Sequence, residues 1–432
     1  MKPHADDIDY TSPFGRSVWE IKPPNQGSLN DHDVPRLSDD LSGRSIALLI
    51  CGGIAAMKAP LIARMLRKHG ASVTAFVSKE ALRYVTSDTL SWSCNQPVVT
   101  QLSARAEHLG DGASFDAYLV APATYNTINK FAMGIADGLL TTTLSSALGQ
   151  SERGQTKILV APTMHGSMHN AILTESLIKL RRLGVHLIPP RDAYGKHNIP
   201  SEQSLVWEVT RALSTSALKD QGVLVTGGPT PVKIDGVRRL TNKFTGRLAI
   251  EIARELHVRG AQVRLLLGTG SHVPPIELEP FTERVPDFHA YLKRSLELSS
   301  LPECQAGIFS AAVADYEPQS QAAGKIKSGL SQLTLELVST AKVIELVRSA
   351  APDLKMVTFK YQENVSHDEL MEIVSSRLSR YEAVFANRGE ERGPLGEQVG
   401  WLCALGQAPT RLLSKSGIAQ GIADFLERRF SV

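Results

Sequence analysis

The sequence predicts an α/β protein of two doubly wound domains in tandem, and three observations predict it. Short continuous apolar runs, the pattern of strands buried on both faces of a parallel sheet, alternate with longer helical stretches. The first run is followed at once by paired glycines and a helical stretch. The whole pattern then restarts after a polar linker at Ser214–Gln221.

The elements follow in order. Ser45–Ile50 is the first strand, Cys51-Gly52-Gly53 turns the chain, and Ile54 to His69 reads as helix. Ala71–Val77, Ala117–Val120 and Lys157–Val160 supply further strands, and this unit spans residues 44–213. The second unit, Rossmann-like and spanning residues 219–432, opens with a strand at Gly222–Thr226, a turn at Gly227-Gly228-Pro229-Thr230 and a helix from Gly246 to Arg259. Strands at Gln262–Leu267, Ala306–Ser310, Met356–Phe359 and Ala383–Ala386 continue it. Residues 1–43 are polar and aperiodic, and read as an extension: a mobile arm or a clamp on a neighbouring subunit.

Composition excludes several classes of function. With 47 Lys and Arg against 44 Asp and Glu, charge is too balanced for a nucleic-acid-binding surface. Cys51, Cys94, Cys304 and Cys403 form no CxxC pair, which argues against zinc sites and disulfide frameworks. No apolar run approaches the roughly 18 residues of a membrane span, and Met1–Tyr10 lacks a signal-peptide core. The expectation is a cytoplasmic protein with small-molecule partners, no nucleic acid and no membrane.

Ligands of open α/β sheets sit beyond the carboxyl ends of the strands, so those loops carry the functional reading. Gly52-Gly53 opens a helix, where free N–H groups and the helix dipole favour a phosphate. Ser78 ends the second strand and can cap the next helix or touch the same phosphate. Ala121-Pro-Ala-Thr124-Tyr-Asn126-Thr127 ends the third strand with small and hydroxyl-bearing groups, suited to the face and edge of a flat ring.

Together with Gly134-Ile-Ala-Asp-Gly-Leu-Leu-Thr141, these motifs resemble the homo-oligomeric flavin-containing cysteine decarboxylases, specifically the decarboxylase half of the bifunctional coenzyme A biosynthesis proteins. The resemblance implies a flavodoxin-like fold and FMN at Gly53, Ser78, Ala121, Thr124 and Asn126, with His108 as the active-site histidine. It also implies oxidation of the substrate thiol to a thioaldehyde, which stabilises the carbanion left by loss of CO₂. Where the family has Pro-Ala-Met-Asn, holding the substrate carboxylate, this chain has Pro162-Thr-Met-His165, followed by the expected Met168. A histidine there is expected to bind a carboxylate only when protonated. Where the family has a flexible clamp with a cysteine, Pro189-Pro-Arg-Asp-Ala-Tyr-Gly195-Lys-His-Asn-Ile-Pro200 runs past without one.

In the second unit, Thr226-Gly-Gly-Pro-Thr230 offers a phosphate turn, and Arg238 and Asn242 supply an anion fork and an amide four residues apart. Ser310-Ala-Ala-Val-Ala-Asp315-Tyr leaves a carboxylate at a strand end, and Gly324-Lys325-Ile-Lys327 sets two lysines on one side of an extended segment. A carboxylate for Mg²⁺, with lysines and an arginine for phosphates, suits nucleotidyl transfer, in which charge develops on phosphoryl oxygens. These motifs, with Leu412-Leu-Ser-Lys415-Ser-Gly-Ile-Ala419, resemble phosphopantothenate–cysteine ligase.

That resemblance implies a reaction in two stages. The carboxylate of 4′-phosphopantothenate attacks the α-phosphate of CTP, pyrophosphate leaves, and the cysteine amine attacks the acyl-cytidylate. Lys325 then stabilises the phosphoryl transition state, Asn242 holds the acyl intermediate, Arg238 and Lys327 meet phosphates, and Asp315 engages Mg²⁺ or the nucleotide. Phe359 and Asn387 fall on the nucleotide side, although Thr358-Phe-Lys360-Tyr361 and Arg388 depart from the family run. Trimeric flavodoxin-like units and dimeric ligase units together imply a homo-oligomer as large as a dodecamer. Two other readings stay open: a divergent flavin-dependent decarboxylase acting on another thiol, and a non-catalytic regulatory flavoprotein.

Overall fold

The computed structural model describes residue 23 and residues 25–104, 106–109, 115–322, 324–329 and 331–431. Residues 1–22 and 24 of the expected extension lie outside the described residues. Towards its end, that segment contacts its own chain. Leu37 and Leu41 N–H groups donate to the Lys68 and His69 carbonyls at the end of the Ala59–Lys68 helix, and Leu41 is fully buried.

The first half is a parallel sheet of β1 (Ser45–Ile50), β2 (Ser72–Val77), β3 (Ala117–Ala123), β4 (Lys157–Pro162) and β6 (His186–Leu187), in the order β2-β1-β3-β4-β6. Successive residues of a strand face opposite sides. Ile46, Leu48 and Ile50 therefore enter one core, and Ala47 and Leu49, with Cys51 just beyond the strand, enter the other. This double burial is why the run reads as unbroken apolar sequence. The order is the flavodoxin-like one, and its winding reverses between β1 and β3, so the loops leaving those two strands part and form a crevice.

Beyond the carboxyl ends of this sheet lies a small antiparallel sheet of β5 (Met164–His165), β7 (Arg191–Ala193) and β8 (Lys196–Asn198), in the order β5-β8-β7. The segment that resembles a shortened clamp is thus a hairpin. Its two turn residues, Tyr194 and Gly195, both have positive φ, 55° and 67°, as a two-residue turn requires.

The second half is an eight-stranded sheet ordered β13-β12-β9-β14-β17-β18-β19-β20. Strands β9 (Gly222–Gly227), β12 (Gln262–Gly268), β13 (Thr282–Val285), β14 (Cys304–Phe309), β17 (Lys355–Gln362) and β18 (Ala383–Arg388) are parallel. The antiparallel edge, β19 (Val399–Cys403) and β20 (Thr410–Leu413), has no counterpart in the sequence reading. Two small pairs, β10 (Val232–Lys233) with β11 (Arg239–Leu240) and β15 (Tyr316–Pro318) with β16 (Leu337–Ser339), stand outside the main sheet.

The Gly227-Gly228 turn serves packing first. A Cβ on Gly227 would lie 2.2 Å from the Ala249 Cβ, so the Arg247–Val258 helix can sit directly on the strand end. Gly228 has φ 77°, and a Cβ there would meet the Ser271 hydroxyl at 1.8 Å.

The two halves meet along the Glu202–Leu213 and Arg247–Val258 helices. Arg211 Nη1 donates to the His257 carbonyl in the last turn of the second helix at 2.9 Å and to the Ala261 carbonyl just beyond it at 2.8 Å. Ser201 and Ser204 hydroxyls both donate to Glu277 at 2.8 Å. His257 lies between Trp207 and Phe281, and burial, reinforced by the Arg211 charge, pushes its imidazole down to about 4. Among the described residues no helix is long and apolar enough to cross a membrane.

Candidate active sites

Two neighbouring cavities of about 590 and 900 Å³ open at the carboxyl edge of the first sheet. Gly52, Thr124 and Asn126 line both, forming the wall between them. Gly52 is required there by space, since a Cβ would lie 2.3 Å from the Glu80 Cβ. Gly53 and Met168 line the smaller cavity and Ser78 the larger. The Ser78 hydroxyl also accepts the Ala81 N–H at 3.2 Å, so it organises the turn after β2. Ala121 lies wholly in the core and lines neither cavity.

His108 is part-buried and also lines neither cavity, and its Nδ1 meets no hydrogen-bond partner among the described residues. A thiol is no substitute for it. Burial raises Cys51, and pushes Cys94 up to about 12 and Cys304 and Cys403 to about 11.

His165 lines the smaller cavity in a defined tautomer. The Ser167 backbone N–H donates to its Nδ1 at 3.2 Å, and the Ser167 hydroxyl lies 2.8 Å from the same atom. An Nδ1 that accepts carries no proton, so the neutral ring keeps its proton on Nε2. In this tautomer the neutral ring also offers a donor, Nε2–H, of the kind an asparagine amide gives. Protonation would break the bond to Ser167.

A second imidazole network was not foreseen. His197 lies 2.5 Å (Nδ1) from an Asp192 carboxylate oxygen and 2.7 Å (Nε2) from His169 Nδ1, and His169 Nε2 lies 3.1 Å from the Thr174 hydroxyl. It ties the hairpin to the β5 segment. The signal was three scattered residues, visible only once the hairpin aligns Asp192 with His197.

In the second half the predicted residues divide between the two ends of the β10–β11 hairpin. At its turn, Asp235 accepts N–H bonds from Val237, Arg238 and Ile326 at 2.8, 2.6 and 3.0 Å, and the Arg238 guanidinium at 2.6 Å. The Arg238 N–H, with the others beside it, holds this carboxyl well below the usual range. Arg238 also reaches the Ile326 carbonyl at 3.3 Å, which brings it beside Lys325 and Lys327.

At the hairpin's base, a pocket of about 250 Å³ is lined by Asn242 and Asp315 together with Thr230, Thr241 and Tyr316. The Asn242 amide donates to the Ala312 carbonyl at 2.6 Å and its oxygen accepts the Phe244 N–H at 3.2 Å, so it organises the loop. Arg238, Lys325 and Lys327 do not line this pocket.

Asp315 pairs with Lys342 at 2.5 Å, and no group of three or more His, Cys, Asp or Glu able to hold a metal occurs among the described residues. Lys360, also near Asp315 and Lys342, has its ammonium pushed down by burial and by the Arg377 charge. Sequence reasoning missed Lys342, because 27 residues separate it from Asp315 and β16 returns the chain to it. Phe359 packs partly buried on Phe385, ring centroids 5.2 Å apart, and Asn387 stands opposite Tyr361 in the sheet. Neither lines the small pocket.

A flavodoxin-like sheet with paired strand-end cavities, joined to a second doubly wound sheet, defines a two-domain flavoprotein. Residues 35–214 match the Flavoprotein family and residues 218–428 the DNA/pantothenate metabolism flavoprotein C-terminal domain. The chain is 35% identical over 353 residues to the coenzyme A biosynthesis bifunctional protein CoaBC of Thermococcus kodakarensis, covering 79% of this chain and 84% of that one. The CoaBC proteins of Methanocaldococcus jannaschii, 28% identical, and Bacillus subtilis, 30% identical, cover 79% and 78% of this chain and 82% and 85% of their own. The chain belongs to the bifunctional enzymes of coenzyme A biosynthesis, with phosphopantothenate–cysteine ligase and phosphopantothenoylcysteine decarboxylase activities.

Proposed function

We propose that the first half uses FMN to decarboxylate 4′-phospho-N-pantothenoylcysteine, and that the second half makes this compound from 4′-phosphopantothenate, cysteine and CTP. The observation that carries the first assignment is the wall of Gly52, Thr124 and Asn126, which serves both cavities. Its missing Cβ and its hydroxyl and amide edges fit a flat ring that spans them. FMN supplies a two-electron acceptor that is restored within the cycle. The chain's own residues do the rest: His165 donates Nε2–H to the substrate carboxylate, Thr124 and Asn126 hold the ring edge, and Met168 covers the cavity beside His165.

In the second half, Lys325, Lys327 and Arg238 gather phosphate charge at the hairpin turn while Asn242 holds the acyl group at its base. A single carboxylate already paired with Lys342 is a poor resident metal site. Mg²⁺ therefore enters with the nucleotide phosphates, its usual setting, and Asp315 serves to orient Lys342. His108 is kept as a candidate acid–base residue whose reacting partner lies beyond the two cavities of its own chain. A homo-oligomeric assembly in the cytoplasm is consistent with this.

The test is a single incubation of the flavin-loaded protein with 4′-phosphopantothenate, cysteine and MgCTP. Pyrophosphate release and a product lighter by CO₂ and still reduced, 4′-phosphopantetheine, are expected. Release of pyrophosphate with no loss of CO₂ would refute the decarboxylase assignment, and an enethiol product would place the fault in its reductive step.

A further inference from the structure

The wall of the smaller cavity formed by the β7–β8 hairpin carries charge of one sign only. Strand alternation and the pairings Arg191↔Asn198 and His165↔Lys196 set Arg191, Asn198, Lys196 and His165 on one face of the three-stranded sheet, and all four line the cavity. No carboxylate lines it among the described residues. Lys58, its remaining cation, is paired with Glu202 at 3.5 Å, but Arg191 and Lys196 make no ion pair among the described residues. The hairpin's acidic residue, Asp192, is turned to the opposite face and taken up by His197.

Two unneutralised cations on a pinned hairpin, aimed into a cavity without a counter-charge, are arranged for a dianion. Arginine offers a planar fork and lysine a point charge, the pair of donors that suits a phosphate monoester. Resting on the decarboxylase reading, we propose that Arg191 and Lys196 are the specificity residues that recognise the 4′-phosphate of the substrate in the first cavity. The His169–His197–Asp192 network positions them by holding strand β8 against β5. His165, on the same face, takes the carboxylate, so the two ends of one substrate are read by one small sheet.

The experiment uses the flavin-loaded full chain and compares KM for CO₂ release from phosphorylated and dephosphorylated N-pantothenoylcysteine. The wild type is expected to favour the phosphorylated form by about tenfold or more, because two charge-assisted contacts depend on it. In Arg191→Gln/Lys196→Gln that ratio should fall towards one, and in the charge-keeping Arg191→Lys/Lys196→Arg it should largely survive. Because the readout is a ratio, partial loss of folded enzyme does not alter it. An unchanged ratio in the Gln variant overturns the proposal.

Should the wild type release no CO₂ at all, the decarboxylase reading fails separately. The hairpin assignment is then judged by titrating flavin absorbance with 4′-phosphopantetheine and with pantetheine. Discrimination lost in the Gln variant supports it, and discrimination retained overturns it.

Discussion

The two halves place their functional groups in opposite ways. In the first, strand-end loops and one small hairpin enclose cavities of about 590 and 900 Å³ in which no candidate cation on the hairpin is neutralised. In the second, the candidate cations stand on exposed loops, Asp235 and Asp315 already hold Arg238 and Lys342, and the pocket is about 250 Å³. That is below the roughly 300–1,000 Å³ common for ligand sites. The contrast teaches that the first site is shaped by its backbone, whereas in the second half candidate charged groups are already engaged in internal ion pairs.

The largest effect that can test this contrast is in Lys325→Gln. Pyrophosphate release should fall on the order of 100-fold, as when one electrostatic contact to the transition state is lost. CO₂ release from added 4′-phospho-N-pantothenoylcysteine should not change. A parallel fall of both would break the division into two separate sites.

Next in size is a pH effect at the seam between the halves. His257 is held neutral, at about 4 against an ordinary value near 6.5. Between those values the unfolded chain binds the proton and the folded one does not, so stability is present above pH 6.5 and is lost as pH falls towards 4. The span corresponds to about 3 kcal/mol. His257→Phe, which keeps the ring stack, should flatten the acid limb of the denaturant midpoint against pH. An unchanged limb would mean the ring is hydrated in solution.

Smaller again is a matched pair of glycines. Gly52→Ala and Gly227→Ala each drive a Cβ to within 2.3 Å of another Cβ, and each should cost about 1–3 kcal/mol of stability. Only Gly52→Ala should also shed flavin on gel filtration, because only Gly52 lies in the cavity wall.

The smallest effect is in Asp235→Asn. The depressed carboxyl stabilises the fold fully above its unfolded value near 3.9, and that contribution is lost progressively as pH falls from there through the much lower folded value. The variant should differ most from the wild type at neutral pH, and the difference should shrink steadily in acid below the unfolded value, as followed by circular dichroism. Differences that persist in acid would sharpen the case that the hairpin turn acts through geometry alone.

How much of this was legible in the sequence follows from burial. Runs such as Ser45–Ile50 and Gln262–Leu267 were legible because both faces of the strand are covered. The edge strands β19 and β20 were not, since Gly400, Thr410 and Arg411 interrupt any apolar run. The β7–β8 hairpin escaped because Arg-Asp-Ala and Lys-His-Asn carry no strand preference, and Tyr194 is an unusual first residue for a turn of positive φ. His165 was found by position, but its tautomer depends on a backbone N–H two residues on. Asn242 and Asp315 were found together correctly in space, whereas Arg238 and Lys325 lie at the other end of a hairpin that the spacing did not reveal.

The reach of Arg211 across the seam has a consequence for cooperativity. A late carbonyl of a helix in the second half, and the Ala261 carbonyl just beyond that helix, are both met by a side chain from the first, so cutting the chain near Ser214 would leave those acceptors bare in one fragment and a guanidinium bare in the other. Melting should accordingly be communicated between the halves, and a calorimetric trace of the intact enzyme should show one merged endotherm where two independent domains would give two.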